Sequence, residues 1–211
     1  MQMKQCVIFD FDGTIADSMW LVIAIYEEMF GAKVTEKQIQ ETRNLPLSKV
    51  LKQLGIPLWK VPRLLTSGRK IMRTRIEEVK PFPGMDEVFA QLKAEGYNLQ
   101  IMSSNSRPLV RQFLKQHDLL QYFSDVEGGV GLFGKAPVLR KIMKHLGLTR
   151  AQVVYVGDEG RDIEGAKKAR VPIISVGWGY NTPELLKSMR PDYYVDSPPQ
   201  LVEVVRGLWK Q

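Results

Sequence analysis

Sulfur and imidazole are scarce in this chain: 211 residues hold one cysteine and two histidines. The single cysteine, Cys6, cannot form an internal disulfide and reads as a small buried core residue. The chain enters its first strand by Cys6, so no signal peptide is visible and the expected compartment is cytoplasmic. No apolar run is long enough to cross a bilayer, so no membrane partner is expected. Internal repeats, low-complexity tracts and zinc-finger spacing are also missing. The formal charge is +7 with a pI near 9.4, yet no basic block with interleaved aromatics accompanies it. Lys141, Lys144, Lys167, Lys168 and Lys187 instead fall on segments patterned as amphipathic helices. The positive charge therefore reads as solvated surface or as help for anionic small substrates, with no nucleic-acid partner. A 44% hydrophobic and 25% charged composition suits one large globular domain, or one domain with a smaller insertion.

What the chain does have is Asp10-Phe11-Asp12-Gly13-Thr14, placed directly after the apolar run Cys6-Val7-Ile8-Phe9. That run reads as a buried parallel strand. Two carboxylates at the carboxyl end of a buried strand are costly unless something neutralises them, and a divalent cation is the usual partner. Strand carboxyl ends are also where open α/β sheets bind ligands.

The remaining pattern predicts an α/β chain with one long helical interruption. Val22, Ile25, Tyr26, Met29 and Phe30 recur at helical spacing, Thr35-Glu36-Lys37-Gln38 is a capping-box pattern, and 47–54 and 61–79 also read as helices. No strand-like run appears between Ile15 and Lys80, and Pro81-Phe82-Pro83-Gly84 punctuates the end of this stretch. Strands are then expected at 99–102, weakly at 124–127, and at 153–156, 173–176 and 193–195. Helices fall between them near 86–94, 108–117, 136–146, 162–169 and 183–188, and a last one follows Ser197 with Pro198 at its first position. Single helices between strands imply a doubly wound parallel sheet. The expected division is an α/β core over residues 1–15 and 81–211 and a small all-helical cap over 16–80.

Three further strand ends carry polar groups. The strand 99–102 ends in Ser103-Ser104-Asn105, where a hydroxyl and backbone N–H groups can hold a phosphate oxygen. The strand 153–156 ends in Gly157-Asp158-Glu159-Gly160-Arg161-Asp162, with Asp158 and Asp162 facing one point across a turn. Lys135 opens a helix after the glycine-rich stretch Gly128, Gly129, Gly131 and Gly134. In a doubly wound sheet these ends converge on four aspartates, a lysine and a serine. The carboxylates suit Mg²⁺, and the lysine, serine and amides suit a phosphoryl group.

These four elements, in this order, resemble the haloacid dehalogenase-like hydrolase superfamily across essentially the whole chain. The helical stretch between the first two is similar to the cap of its phosphoglycolate phosphatase-like branch. So are Gly179-Tyr180-Asn181-Thr182-Pro183-Glu184 and the stretch 192–197 to that branch's carboxyl-terminal region. The resemblance implies a Rossmann-like core and a Mg²⁺-dependent phosphatase with a mobile cap. Asp10 would be the nucleophile, forming an aspartyl-phosphate, and Asp12 the general acid and base. The Asp10 carboxylate, the Asp12 backbone carbonyl and Asp158 would hold Mg²⁺. Asp162 would support the metal through water or orient Lys135. Ser103 and Lys135 would bind phosphoryl oxygens, helped by the N–H groups of Gly13 and Ser104, with Thr14 bracing the loop and Asn105 beside it. A carboxylate at Asp12 argues against dehalogenation.

Specificity is expected from Thr42-Arg43-Asn44-Leu45-Pro46, which resembles the cap loop facing the active site. Arg43 and Asn44 are the candidates, with Lys49 behind them, and Arg43 would favour a substrate with a second anionic group. The expected partner is a small phosphorylated metabolite, phosphoglycolate being the leading named candidate, acted on by a monomer or weak homo-oligomer. A sugar phosphomutase, a phosphonate hydrolase with a Schiff-base lysine, and a non-catalytic phosphate-binding module are the alternatives; the cap offers no histidine for a mutase. His117 and His145 are expected at or near the surface. Asp17-Ser18 is read as a helix cap. Trp20, Trp59, Trp178 and Trp209 are read as packing residues. Arg170 stands where the family has glycine, at a turn where a left-handed residue would cost arginine.

Overall fold

The structure, a computed structural model, describes residues 5–131 and 134–209. Its centre is a six-stranded parallel sheet in the order β5-β4-β1-β6-β7-β8. The strands are β1 (Cys6–Phe9), β4 (Asn98–Met102), β5 (Phe123–Glu127), β6 (Val153–Gly157), β7 (Ile173–Val176) and β8 (Tyr193–Val195). Their connections carry α5 (Met85–Ala94), α6 (Arg107–Gln116), α7 (Lys135–Leu146), α8 (Gly160–Ala169) and α9 (Pro183–Ser188), and α10 (Pro198–Trp209) ends the described chain. The sheet is doubly wound: after β1 the chain runs outward through β4 and β5, then crosses to the other side for β6, β7 and β8.

Alternation along β1 explains why helices cover both faces. Val7 and Phe9 enter one apolar cluster with Val88, Phe89 and Leu92 of α5 and Leu109, Val110 and Phe113 of α6. Cys6 and Ile8 enter a second cluster with Leu139 and Ile142 of α7 and Ile163 and Ala166 of α8. Phe9 meets Phe89 edge-on at 5.3 Å between ring centres. All four β1 side chains are buried, as a near-continuous apolar strand of a parallel sheet requires.

Four helices are inserted after β1: α1 (Met19–Phe30), α2 (Glu36–Arg43), α3 (Leu47–Gln53) and α4 (Val61–Arg75). The capping box of α2 forms, Gln38 N–H donating to Thr35 Oγ1 and Thr35 N–H to Gln38 Oε1. The helix expected over 61–79 stops at Arg75 and tightens into a 3₁₀ turn, Ile76–Glu78. The stretch read as free of strands is corrected at both ends. β2 (Ala16–Asp17) and β3 (Lys80–Pro81) pair antiparallel, so the chain leaves and re-enters the α/β body through one two-stranded ribbon. Neither segment has enough residues to show a period, which is why the sequence hides them. Leu21, Ile25, Met72 and Ile76 of the insertion join the same apolar cluster as Phe9, Phe11 and Ile15.

Two tryptophans depart from the packing role. Trp59 is 76% exposed, and Trp20, 39% exposed, lies beneath the Arg75 guanidinium. Trp178 donates to the Thr14 carbonyl, and Trp209 packs on Tyr97. His117 is part-buried against the Val79 carbonyl and His145 is exposed. Arg170 takes the left-handed conformation with φ 59°, so the turn keeps its glycine geometry without the glycine. Among the described residues no helix is long and apolar enough to cross a membrane.

Candidate active site

Register brings the strand ends together. Phe9 lies opposite Ile101 of β4 and Val156 of β6, and the Asp10 N–H donates to the Val156 carbonyl at 2.8 Å. Asp10, Ser103 and Asp158 therefore leave three adjacent strands at one edge. The strand order reverses on either side of β1, so this edge is a topological switch point, the crevice where open α/β sheets bind ligands.

Lys135, the first residue of α7, is the hub of a buried ionic network. Its Nζ donates to Asp10 Oδ2 at 2.7 Å, to the Tyr155 hydroxyl at 2.9 Å and to Asp162 Oδ1. Tyr155 in turn donates to Asp162 Oδ1 at 3.0 Å, and Asp162 Oδ2 accepts the Glu159 N–H at 2.9 Å. Asp158 is fixed from two sides: Thr14 Oγ1 donates to Oδ1 and the Tyr180 N–H to Oδ2, both at 2.7 Å. Two glycines make room for it. Gly13 has φ 76°, and a Cβ there would lie 2.1 Å from Asp158 Oδ2; a Cβ on Gly179 would lie 2.2 Å from Asp158 Cβ.

Asp10, Asp158 and Asp162 each bring one carboxylate oxygen within 4.8 Å of the others. Three buried carboxylates against one ammonium leave excess negative charge, and all the donors are oxygen, so the residues fit a hard divalent cation. The Asp12 carboxylate is engaged elsewhere, accepting Ser18 Oγ at 2.9 Å and Asn105 Nδ2 at 2.7 Å.

Burial dominates the proton affinities. It lifts the Asp10 carboxyl to about 7 against the pull of Lys135, and Asp12 to about 6 against the Ser18 hydrogen bond. It also drives Asp158 well above the usual carboxylate range, with Glu159 and Asp162 adding repulsion. For Asp162 the same burial is outweighed by Lys135 and Arg161, which hold it below its ordinary value. Lys135 stays a cation because Asp10 and Asp162 outweigh its burial.

Ser103 is fully buried at the end of β4, and its Oγ accepts the Asn105 N–H at 2.9 Å. Ser104 offers its carbonyl to Arg69 Nη2. Arg43 and Asn44 are not turned toward the carboxylates. Arg43 Nε and Nη2 donate to the carbonyls of Tyr180 and Gly179, both at 3.1 Å. The Arg43 carbonyl accepts from Asn181 Nδ2 and the Thr182 N–H, and Asn44 Oδ1 accepts from the Thr182 hydroxyl. Lys49 is exposed. Ser18 occupies the N-cap position of α1 but makes no side-chain cap; its hydroxyl joins Asp12 and Tyr180 instead.

Sequence reasoning passed over Tyr155, Tyr180, Arg69 and Arg161. Tyr155 had a usable signal: it sits on the final strand stretch before Gly157-Asp158, in a run otherwise of valines. Arg161 lay inside the acidic motif without a role. Tyr180 lay inside a stretch singled out by resemblance but without a role, and Arg69 had no signal, because only the fold brings α4 and the 179–182 loop against the strand ends.

Comparison with known proteins agrees with this geometry. The family model of haloacid dehalogenase-like hydrolases matches residues 7–176. A phosphoglycolate phosphatase of Synechococcus elongatus is 32% identical over 98% of this chain and all of its own length. The pyrophosphatase PpaX of Halalkalibacterium halodurans is 27% identical, covering 94% of this chain and 95% of its own. Among solved structures, a "predicted phosphatase" from Clostridium acetobutylicum shares the fold with a TM-score of 0.82 at 24% identity, over 98% of this chain and 100% of that one. With these matches the chain belongs to the haloacid dehalogenase-like hydrolases and, within them, to the phosphatases.

Proposed function

We propose that the protein is a Mg²⁺-dependent phosphatase that hydrolyses a small phosphorylated metabolite through an aspartyl-phosphate at Asp10. The observation that carries this reading is the Lys135–Asp10–Asp162 network beside Asp158, with a second carboxyl, Asp12, held separately by Ser18 and Asn105. Asp10 is bound to a cation, whereas Asp12 is held only by the neutral donors Ser18 and Asn105; that difference in partners suits a nucleophile and an acid/base.

In this mechanism Lys135 fixes Asp10 through Oδ2, leaving Oδ1 to attack phosphorus in line. The new Oδ1–P bond forms as the bond to the leaving oxygen breaks, and the protonated Asp12 carboxyl gives that oxygen its proton. Asp12, now a carboxylate, takes a proton from water as the water attacks the aspartyl-phosphate; the acyl-phosphate P–O bond breaks, and Asp10 and phosphate are released. Asp10, Asp158 and the Asp12 carbonyl would hold Mg²⁺, which neutralises charge shared by the nucleophile and the phosphoryl oxygens. Asp162 keeps Lys135 aligned, and the Ser103 hydroxyl with the N–H groups of Gly13 and Ser104 completes the phosphoryl cradle. Phosphoglycolate is the named candidate, supported by the relatives that carry its name.

The test is phosphate release from phosphorylated metabolites and p-nitrophenyl phosphate, with Mg²⁺ or EDTA, for wild type and Asp10→Asn. Mg²⁺-dependent turnover lost in Asp10→Asn is the expected result. Turnover that persists in Asp10→Asn, or that is unaffected by EDTA, refutes the mechanism.

A further inference from the structure

A cavity of about 310 Å³ lies between the insertion and the strand ends, reaching Asp12, Ser104 and Asn105. Its size is at the low end for small-molecule sites. Among the described residues, Arg69 is the one polar side chain that the insertion contributes to it; the rest of that wall is apolar, including Ile25, Leu51 and Met72. Arg161 enters the same cavity from the first turn of α8.

Both guanidiniums hold an unspent donor. Arg161 directs Nε and Nη2 at Glu159 Oε1, while its Nη1 is buried without a hydrogen-bond partner among the described residues, on a side chain 90% buried. Arg69 spends Nη2 on the Ser104 carbonyl, while its Nε is likewise buried and unpartnered. A buried guanidinium N–H left unpaired costs free energy, and because both side chains line the one cavity, an acceptor held there gives each guanidinium a partner to turn toward. The charges point the same way. Asp12 and Glu159 only balance the two arginines formally, and the groups left unpaired are N–H donors, so a strong hydrogen-bond acceptor gains from this corner and a cation does not. A polyhydroxylated sugar would place its hydroxyls against the apolar wall without partners, at a cost for each.

Resting on the phosphatase reading above, we infer that Arg161 and Arg69 form the specificity subsite, receiving an oxyanion carried on the short organic part of the phosphomonoester. That oxyanion is a carboxylate or a second phosphoryl group, either of which accepts two N–H bonds from guanidinium. The assignment moves the anion-reading role from Arg43, whose Nε and Nη2 are spent on backbone carbonyls, to two arginines that line the cavity reaching Asp12.

The experiment measures kcat and KM for 2-phosphoglycolate, pyrophosphate, ethyl phosphate and glucose 6-phosphate with the wild type, Arg69→Met, Arg161→Met and Arg161→Lys. Arg69 is part-exposed on α4 and its variant has little to unfold; Arg161→Lys retains the cation beside Glu159 while losing the planar fork. The expected result is a drop of tenfold or more in kcat/KM for 2-phosphoglycolate relative to ethyl phosphate in each variant, mainly through KM, with glucose 6-phosphate poor throughout. A drop confined to pyrophosphate supports the subsite and identifies the oxyanion as phosphoryl. An unchanged ratio for both anionic substrates in Arg69→Met and Arg161→Lys overturns the inference while the phosphatase reading stands. A wild type that hydrolyses none of the four overturns that reading itself.

Discussion

Replacing Asp10 with asparagine should make the metal-free protein more stable, even as it abolishes turnover. Burial raises the Asp10 carboxyl from 3.8 to about 7 although Lys135 touches it. A carboxyl whose proton affinity is raised on folding contributes stability that is fully present below pH 3.8 and is lost as pH rises through about 7. Ionising it in the folded protein therefore costs up to roughly 4 kcal/mol at pH 8 relative to the unfolded chain. Asparagine has the shape of the neutral acid and never ionises. In EDTA at pH 8, Asp10→Asn should then melt higher, by about 10 °C for a domain of this size. At pH 4.5 the two proteins should melt within a few degrees of each other, since the wild-type carboxyl is protonated there. Adding Mg²⁺ at pH 8 should raise the wild-type Tm more than the variant's, because only the wild type has the carboxylate to bind it. Differential scanning fluorimetry across pH 4.5–8 measures all three. A variant that melts no higher than wild type at pH 8 in EDTA, or an advantage that fails to shrink toward pH 4.5, refutes the reasoning.

Three other outcomes follow from the same geometry. Because the Asp12 carboxyl is lifted to about 6 and the proposed mechanism needs it protonated to release an alkoxide, kcat/KM for an alkyl phosphate should fall as pH rises above that value. The profile for p-nitrophenyl phosphate, whose leaving group needs no proton, should stay flatter; parallel profiles would remove Asp12 from the acid role. Arg43→Ala should lower kcat/KM by a similar factor for phosphomonoesters with and without a second anionic group, since its guanidinium holds the 179–180 carbonyls; a selective loss on carboxylated substrates would return it to substrate contact. Arg170→Gly should raise stability by roughly 1 kcal/mol, read by urea titration, because glycine takes the φ of 59° without the left-handed penalty.

The parts of this protein legible in its sequence are those where local chemistry and tertiary role coincide. β1 is apolar at every position because it is central and covered on both faces. Its Asp10 and Asp12 stand out because carboxylates are out of place at such an end. The acidic motif after β6 was equally readable, and Asp162, a residue that on a solvated helix would mean little, is fully buried against Lys135. The ribbon of β2 and β3 was invisible because two-residue strands have no period, and its pairing joins positions far apart in the chain. Arg43 was read as facing the substrate because a loop between helices gives no direction for a side chain. Ser18 looks like a cap for the same reason that it is useful to Asp12: a short hydroxyl beside a helix start can accept a helix N–H or donate to a carboxylate, and here it donates to Asp12 and bonds Tyr180.

The loop 179–182 grips the insertion through the Arg43 side chain and, through the Tyr180 N–H, also grips Asp158. The insertion and Asp158 thus hang from one hook. Were the insertion to swing on its two-stranded ribbon, lifting Arg43 would pull on the peptides that hold Asp158, so opening the insertion and loosening that carboxylate would be one mechanical event, and closing it would restore both together. The proposed cation seat would then be set by the docking of a distant helix end as well as by its own carboxylates.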